Sequence, residues 1–366
     1  MAIVQSIITV VIFLTMLGLL VVIHELGHFI TARLANIRVH EFGIGFPPRA
    51  KVLSSHGETM YTLNWLPIGG FVRLEGEDGD SDDPRSFTRA ALPIKLVVLL
   101  AGVGMNLLLA VLIFSATAWF PGQAVELRFQ SVQADSPAAA AGLAPNEAIV
   151  SIDGQYFDQF RLDGPEAMVA RLRAKAGETI QLGITSTDGQ QRMVTVTLRP
   201  PSQIDDQHGA LGIVRLTPRL SAVGFTRSPG DALALGVART ADAFRLIIDG
   251  LGQIANSIVT RPTEAPPASG PVGIAVQVGD VFWQAGPLAT LYLAGILSAN
   301  LALVNILPFP PLDGGRMLML VLKSIVGTRL SVKVERLTYL VGFGFLFAFL
   351  IWITYFDIAR IGSGTQ

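Results

Sequence analysis

Val21-Val22-Ile23-His24-Glu25-Leu26-Gly27-His28-Phe29 decides how this chain reads. It contains H-E-x-x-H. On a helix, two histidines four positions apart lie one turn apart on one face, where both imidazoles reach a single zinc ion, and Glu25 beside them is a candidate general base. Residues 1–22 carry no charged side chain, so the motif sits at the end of a run long enough to cross a bilayer. Ionisable groups in lipid are costly and usually functional. A chance pair of histidines on an interfacial helix, with Glu25 reaching to water, leaves two imidazoles and a carboxylate uncompensated against hydrocarbon. A metal supplies the compensation.

The composition agrees: 51% of the 366 residues are hydrophobic and 15% charged, as in a polytopic membrane protein. The net charge of −1 comes without a basic stripe, which argues against nucleic-acid binding. There is no cysteine, so disulfides and thiolate zinc sites are excluded together, and any zinc must use His, Asp or Glu. The first run lacks the basic start and small-residue cleavage site of a signal peptide and is read as a mature span.

Four uncharged runs, 1–22, 96–120, 281–307 and 337–356, approach or exceed the roughly 20 residues that a bilayer core requires. With four spans the first and third run in the same direction, so His24, His28 and Asp313 emerge at one face. The loop between spans three and four holds Arg316, Lys323, Arg329, Lys333 and Arg336 against Asp313 and Glu335, which makes it cytoplasmic by the positive-inside rule. The termini and the region from 121 to about 280 then face outward, and the site lies near the cytoplasmic face.

Between the first two spans, Glu58–Glu75 (ETMYTLNWLPIGGFVRLE) alternates and is rich in β-formers, with Pro67 and Gly69-Gly70 as punctuation. It reads as a β-hairpin dipping into the membrane boundary. Glu75–Asp83, with six acids, reads as a solvated loop. Residues 122–201 turn soluble in character, with strands expected at 125–132, 148–152, 179–184 and 192–198, a helix at 165–176 and a turn at 187–190. Residues 205–220 offer further strand. Residues 231–259 read as an amphipathic helix on the outer membrane surface, and 261–270 as a Pro-rich joint.

Span three ends in Asn300-Leu-Ala-Leu-Val-Asn305-Ile-Leu-Pro308-Phe-Pro310-Pro311-Leu312-Asp313-Gly314-Gly315. The prolines stop the helix, the glycines permit close backbone approach, and Asp313 is a carboxylate at the depth of the histidines. Two His and one carboxylate with an open fourth position form a catalytic zinc pattern. The alternative is that Asp313 merely caps a helix starting near Arg316. Asn300 and Asn305 are amides inside a span, serving either as interhelical glue or, for Asn305 above all, as holders of a substrate backbone.

HELGH on the first span and N-x-x-P-x-P-x-L-D-G-G on the third resemble the site-2 protease family of intramembrane metalloproteases. Pro67–Leu74, Ala101–Asn106 and Ser269–Val272 extend the likeness along the chain. Ser136–Leu143 followed by Ile149–Gly154 is similar to the signature of bacterial PDZ domains, which places the chain beside the RseP-like group of sigma-factor regulators. Three departures stand out: Val103 where the family often has proline, Arg316 where many members have histidine, and one PDZ domain instead of a tandem pair.

The expected fold is an α-helical polytopic membrane protein, with four transmembrane helices, a membrane-dipping β-hairpin and an inserted α+β PDZ-like domain. Its parts are 1–120, with the hairpin at about 58–75; the PDZ-like domain at 122–201; an extracytoplasmic strand, helix and linker at 202–280; and the last two spans at 281–366. The resemblance implies a zinc-dependent endopeptidase of the bacterial inner membrane with one Zn2+ per chain, held by His24, His28 and Asp313, and Glu25 as the base. Gly69, Gly70, Phe71 and Val72 offer an extended backbone to an unwound substrate. The implied substrate is a single-pass membrane protein such as an anti-sigma factor already shortened outside the membrane. A peptide C-terminus at the PDZ-like domain is a second expected partner. The competing reading, a receptor or scaffold with a structural zinc, needs four closed ligands where three are counted.

Overall fold

The structure, a computed structural model, describes residues 2–55, 57–77, 79, 81–160, 164–205, 208–261, 265–327 and 332–363. Arg329, one of the loop cations, lies outside the described residues. The chain divides into two compact units, Met1–Thr117 with Arg239–Gln366, and Ala118–Ala238.

The first unit is built on helices. α1 (Ala2–Leu34) and α2 (Leu92–Trp119) are followed, far along the chain, by α6 (Pro271–Ile306), α7 (Asp313–Val326) and α8 (Val332–Ser363). A helix satisfies all its interior backbone groups within itself, which is what an apolar solvent demands. Among the described residues, four helices are long and apolar enough to cross a membrane: Ile3–Leu34, Leu92–Trp119, Pro271–Ile306 and Val334–Gly362. Their outer faces carry exposed apolar side chains such as Ile3, Ile7, Val11, Leu340 and Phe345, and patches of this kind are avoided in water. α6 breaks at Gly286 (φ 83°), directly before Pro287, and the stretch from Pro287 to Ile306 alone is of bilayer length. Helix contacts use small residues: a methyl at Gly27 would collide with the Ala101 carbonyl, and one at Gly295 with Phe114, the close approach through which helices associate without a hydrophobic driving force.

The β-structure of this unit differs from expectation. Glu58–Glu75 is not a hairpin by itself. Its core is one strand, β2 (Met60–Leu74), paired with β1 (Val39–Ser54). β2 bends at Pro67–Gly69 so that both of its arms flank β1: Phe42 lies opposite Val72 and Tyr61, and Ile44 opposite Gly70 and Leu63. The base is fixed by Ile37, Val39, Leu74, Phe87 and Val98 in one apolar cluster. Glu41, buried in β1, is matched by Arg49 at 2.9 Å and by the Thr62 hydroxyl at 2.8 Å, as a buried carboxylate must be.

The second unit is a sheet with strand order β7-β6-β4-β3-β8, with β5 (Gln155–Tyr156) beside β4. The members are β3 (Gly122–Val132), β4 (Ala148–Ile152), β6 (Thr179–Thr185), β7 (Gln191–Thr197) and β8 (Ile213–Phe225), with helices α3 (Pro137–Ala140) and α4 (Pro165–Ala174) between them. Ser136 caps α3, its hydroxyl accepting from the Ala139 N–H. The core is apolar: Leu127, Phe129, Ile149, Met168, Ile180 and Leu182 are at most 2% exposed. The sheet extends past residue 201 because β8 pairs along the length of β3. α5 (Pro229–Thr260) follows and is not among the four candidate spans.

Candidate metal centre

His24 and His28 face the same way from the C-terminal half of α1, both buried. Asp313 reaches them from a position 289 residues after His24. His24 Nε2 lies 3.0 Å and His28 Nε2 3.4 Å from Asp313 Oδ2, and the two Nε2 atoms are 3.1 Å apart. Among the described residues this is the group of three His, Cys, Asp or Glu side chains whose ligand atoms converge, all within 4.8 Å of one another.

Local sequence explains how Asp313 arrives. α6 stops at Ile306, before Pro308, Pro310 and Pro311, and the chain folds back on itself so tightly that a methyl at Gly314 would overlap the Ile306 and Leu307 carbonyls. α7 begins at Asp313, with Leu312 as its N-cap and no side-chain cap bond. The carboxylate is therefore turned to the histidines rather than spent as a cap.

The donor set suits zinc, which takes imidazole nitrogen and carboxylate oxygen and keeps a fourth position open in catalytic sites. His28 is fixed from behind: its Nδ1 donates to the Val98 carbonyl at 2.8 Å, which leaves the Nε2 lone pair free for a metal, in the manner of a ligating histidine's second contact. α2 also leaves room for the rings, since a methyl on Gly102 would overlap His28 Nε2 and stand 2.7 Å from His24 Cε1.

Glu25 is half-buried and borders β2: a methyl placed on Gly70 would stand 3.6 Å from Glu25 Cγ. Gly69 and Gly70 are buried, and Phe71 and Val72 are half-buried. Phe71 and Val72 line a cavity of about 960 Å3 that also involves Leu99, Pro311 and Arg316. Arg316, one turn beyond Asp313, pairs with Glu77 at 2.7 Å. Asn300 and Asn305 are half-buried on α6. Sequence reasoning did not single out Val98, Gly102 and Asn106 for the site. Asn106 Nδ2 lies 3.3 Å from His24 Nδ1. The signal was the four-residue spacing of these three on one apolar helix, which puts them on a common face.

A membrane-embedded helical frame around two histidines, a carboxylate and an adjacent glutamate defines a membrane metallopeptidase. The chain belongs to Peptidase family M50, whose model matches residues 12–349, and it is a zinc metalloendopeptidase of the site-2 protease type. A Clostridium acetobutylicum protein named, by inference, a zinc metalloprotease is 30% identical over 97% of this chain and 98% of its own length. Zinc metalloprotease RasP of Geobacillus kaustophilus is 27% identical over 98% of this chain and 99% of its own. RasP of Oceanobacillus iheyensis is 26% identical over 96% and 99%. A solved PDZ domain of an SdrC-like protein from Listeria monocytogenes is 23% identical over 24% of this chain and 84% of its own, with a TM-score of 0.20, too low to carry a fold assignment.

Proposed function

We propose that this zinc-dependent intramembrane protease cleaves single-pass membrane proteins within or near their transmembrane segment, at a centre formed by His24, His28 and Asp313 with Glu25 as the general base. The observation that carries the reading is the convergence of the three ligand atoms within 4.8 Å on the flank of Glu25. One bound zinc supplies Lewis acidity toward the scissile carbonyl and the attacking water. Glu25 takes the proton of that water and passes it to the leaving amine. His24, His28 and Asp313 hold the centre in place, and the surrounding helices exclude bulk water.

A helical substrate hides its backbone in its own hydrogen bonds, so a segment must unwind before attack. The arm of β2 from Gly69 to Val72 offers it a strand to pair with, and the nearness of Gly70 to Glu25, which a methyl on Gly70 would approach to 3.6 Å, puts such a segment beside the base. Asn305 is the amide best suited to hold its backbone. The depth of this arm is supported by Gly18, deep in α1, where an added methyl would stand 3.2 Å from the Pro67 carbonyl. It is also supported by the exposed Trp65, Leu66 and Phe46, which suit a membrane boundary better than water. The site then lies toward the cytoplasmic face of a bacterial inner membrane, with 121–280 outside. In the 118–238 unit β8 ends the sheet, and its outer edge is available to an extended peptide C-terminus. The unit discriminates against substrates with large outer domains, so that an anti-sigma factor trimmed outside the membrane is cleaved.

The test is co-expression with a panel of tagged single-pass proteins, comparing wild type with Glu25→Gln. Fragments that appear only with wild type identify substrates; a panel cleaved equally by both removes Glu25 from the mechanism. Leu34→Cys and Leu318→Cys, both exposed in a cysteine-free chain, should be labelled from the cytoplasm, and labelling of either from outside overturns the assigned sidedness.

A further inference from the structure

Both histidines are gripped from behind by α2, along a stripe of Val98, Gly102 and Asn106 whose successive members lie about one turn apart. For His28 the partner leaves no choice. The Val98 carbonyl can only accept, so Nδ1 carries the proton and Nε2 keeps its lone pair. His24 meets a carboxamide instead, with Asn106 Nδ2 at 3.3 Å from Nδ1. In that orientation Nδ1 must be bare and Nε2 protonated, and a protonated Nε2 cannot ligate a metal. The same orientation leaves Asn106 Oδ1 buried without a partner.

Carboxamide oxygen and nitrogen exchange places by a half-turn of the side chain's end, and the hydrogen-bond network assigns them. Either orientation leaves one amide atom unmatched, so the tautomer that the ligand set requires decides between them. Turned over, Oδ1 accepts from His24 Nδ1–H, and His24 then matches His28. Asn106 is 0% exposed, and its backbone is held as well: the Ser298 hydroxyl of α6 donates to the Asn106 carbonyl at 2.8 Å.

We propose that Asn106 is a positioning residue of the metal centre, its carboxamide oxygen accepting the Nδ1 proton of His24 so that Nε2 is presented to zinc. This rests on His24 being a ligand. Zinc affinity of the full-length chain, measured by chelator competition, separates the possibilities. Asn106→Leu, close in size but without an acceptor, should weaken zinc about 10–100-fold, as loss of a ligand's outer partner does. Asn106→Asp, which keeps an acceptor, should hold zinc at least as well as wild type. Wild-type affinity in Asn106→Leu, or equal losses in the two variants, overturns the proposal. His24→Ala is the control: if it too binds like wild type, the ligand assignment fails, whereas a loss there alone overturns only the role of Asn106. Selective 15N-histidine labelling of the zinc-loaded wild type needs no variant of Asn106. The proton of His24 should sit on Nδ1 and the metal on Nε2, and the reverse arrangement overturns the proposal.

Discussion

The two units differ in what they expose. The 118–238 unit buries Leu127, Phe129, Ile149, Ile180 and Leu182 around a sheet, the interior of a water-soluble fold. The helical unit has smaller apolar clusters, exposes large apolar residues along α1 and α8, and buries His24, His28, Asn106, Ser298 and Thr290 among its helices. The difference teaches where each unit's specificity resides. In water the apolar effect holds a sheet and its helices together; in lipid, apolar side chains gain nothing from one another, and small-residue contacts and buried polar groups decide the arrangement. A substitution among His24, His28 and Asp313 should therefore act first on chemistry, and one in the apolar core of the 118–238 unit first on the stability of that unit.

The sharpest break comes from Asp313→Ala. As the first residue of α7, Asp313 contributes at most about 1 kcal/mol through its charge at the helix start, so the chain should remain folded. Zinc content and cleavage should both disappear, because one of the three proposed ligands is gone. Metal analysis of the purified variant is the measurement, and stoichiometric zinc in it would falsify the assignment.

Glu25→Gln ranks second. It removes the proposed base while leaving the three proposed ligand atoms, so cleavage should fall at least ~100-fold with zinc content unchanged. A variant that loses zinc as well would make Glu25 a structural partner of the centre rather than its base.

How much of this was legible follows from distance along the chain. His24 and His28 share one turn of one helix, and the parallel run of spans one and three brought Asp313 to them without any contact information. β1 was not legible. Gly43, Gly45, Pro47 and Pro48 interrupt it, and its pairing with both arms of β2 is a non-local choice that the alternation in 58–75 does not announce, so from sequence alone 58–75 reads as a hairpin folded on itself. Gly102 and Asn106 stood within a motif of the expected family, but what they face depends on packing between α1 and α2. The kink at Gly286 was hidden inside an apolar run that length alone made a span.

A glycine pair on α2 gives the third contrast. In an unencumbered helix, Gly→Ala gains about 1 kcal/mol in propensity. Gly104→Ala should behave so, since nothing lies within 4 Å of the added methyl. Gly102→Ala drives its methyl into the rings of His28 and His24, so the sign reverses: zinc binding should weaken on the order of tenfold, and cleavage with it. Thermal unfolding and zinc titration of both variants read this directly, and equal behaviour of the two would show that the rings tolerate a shifted helix.

The smallest effect on chemistry should come from the largest excision. Gly122 at the start of β3 pairs with Phe225 at the end of β8, so the entry and exit of the sheet are neighbours across one strand pair, about 5 Å apart in the backbone. A short flexible linker spans such a gap. Residues 122–225 can therefore be replaced without pulling on α2 or α5, and because β3 and β8 leave together, no strand loses its neighbour and exposes an edge. Cleavage of a short transmembrane substrate by this variant should stay near the wild-type rate. Cleavage of a substrate with a large outer domain should rise, if the excised unit is what excludes it. Discrimination that persists without residues 122–225 would move the filter to the helical unit, and a short substrate left uncut would mean that the soluble fold supports the polar centre after all.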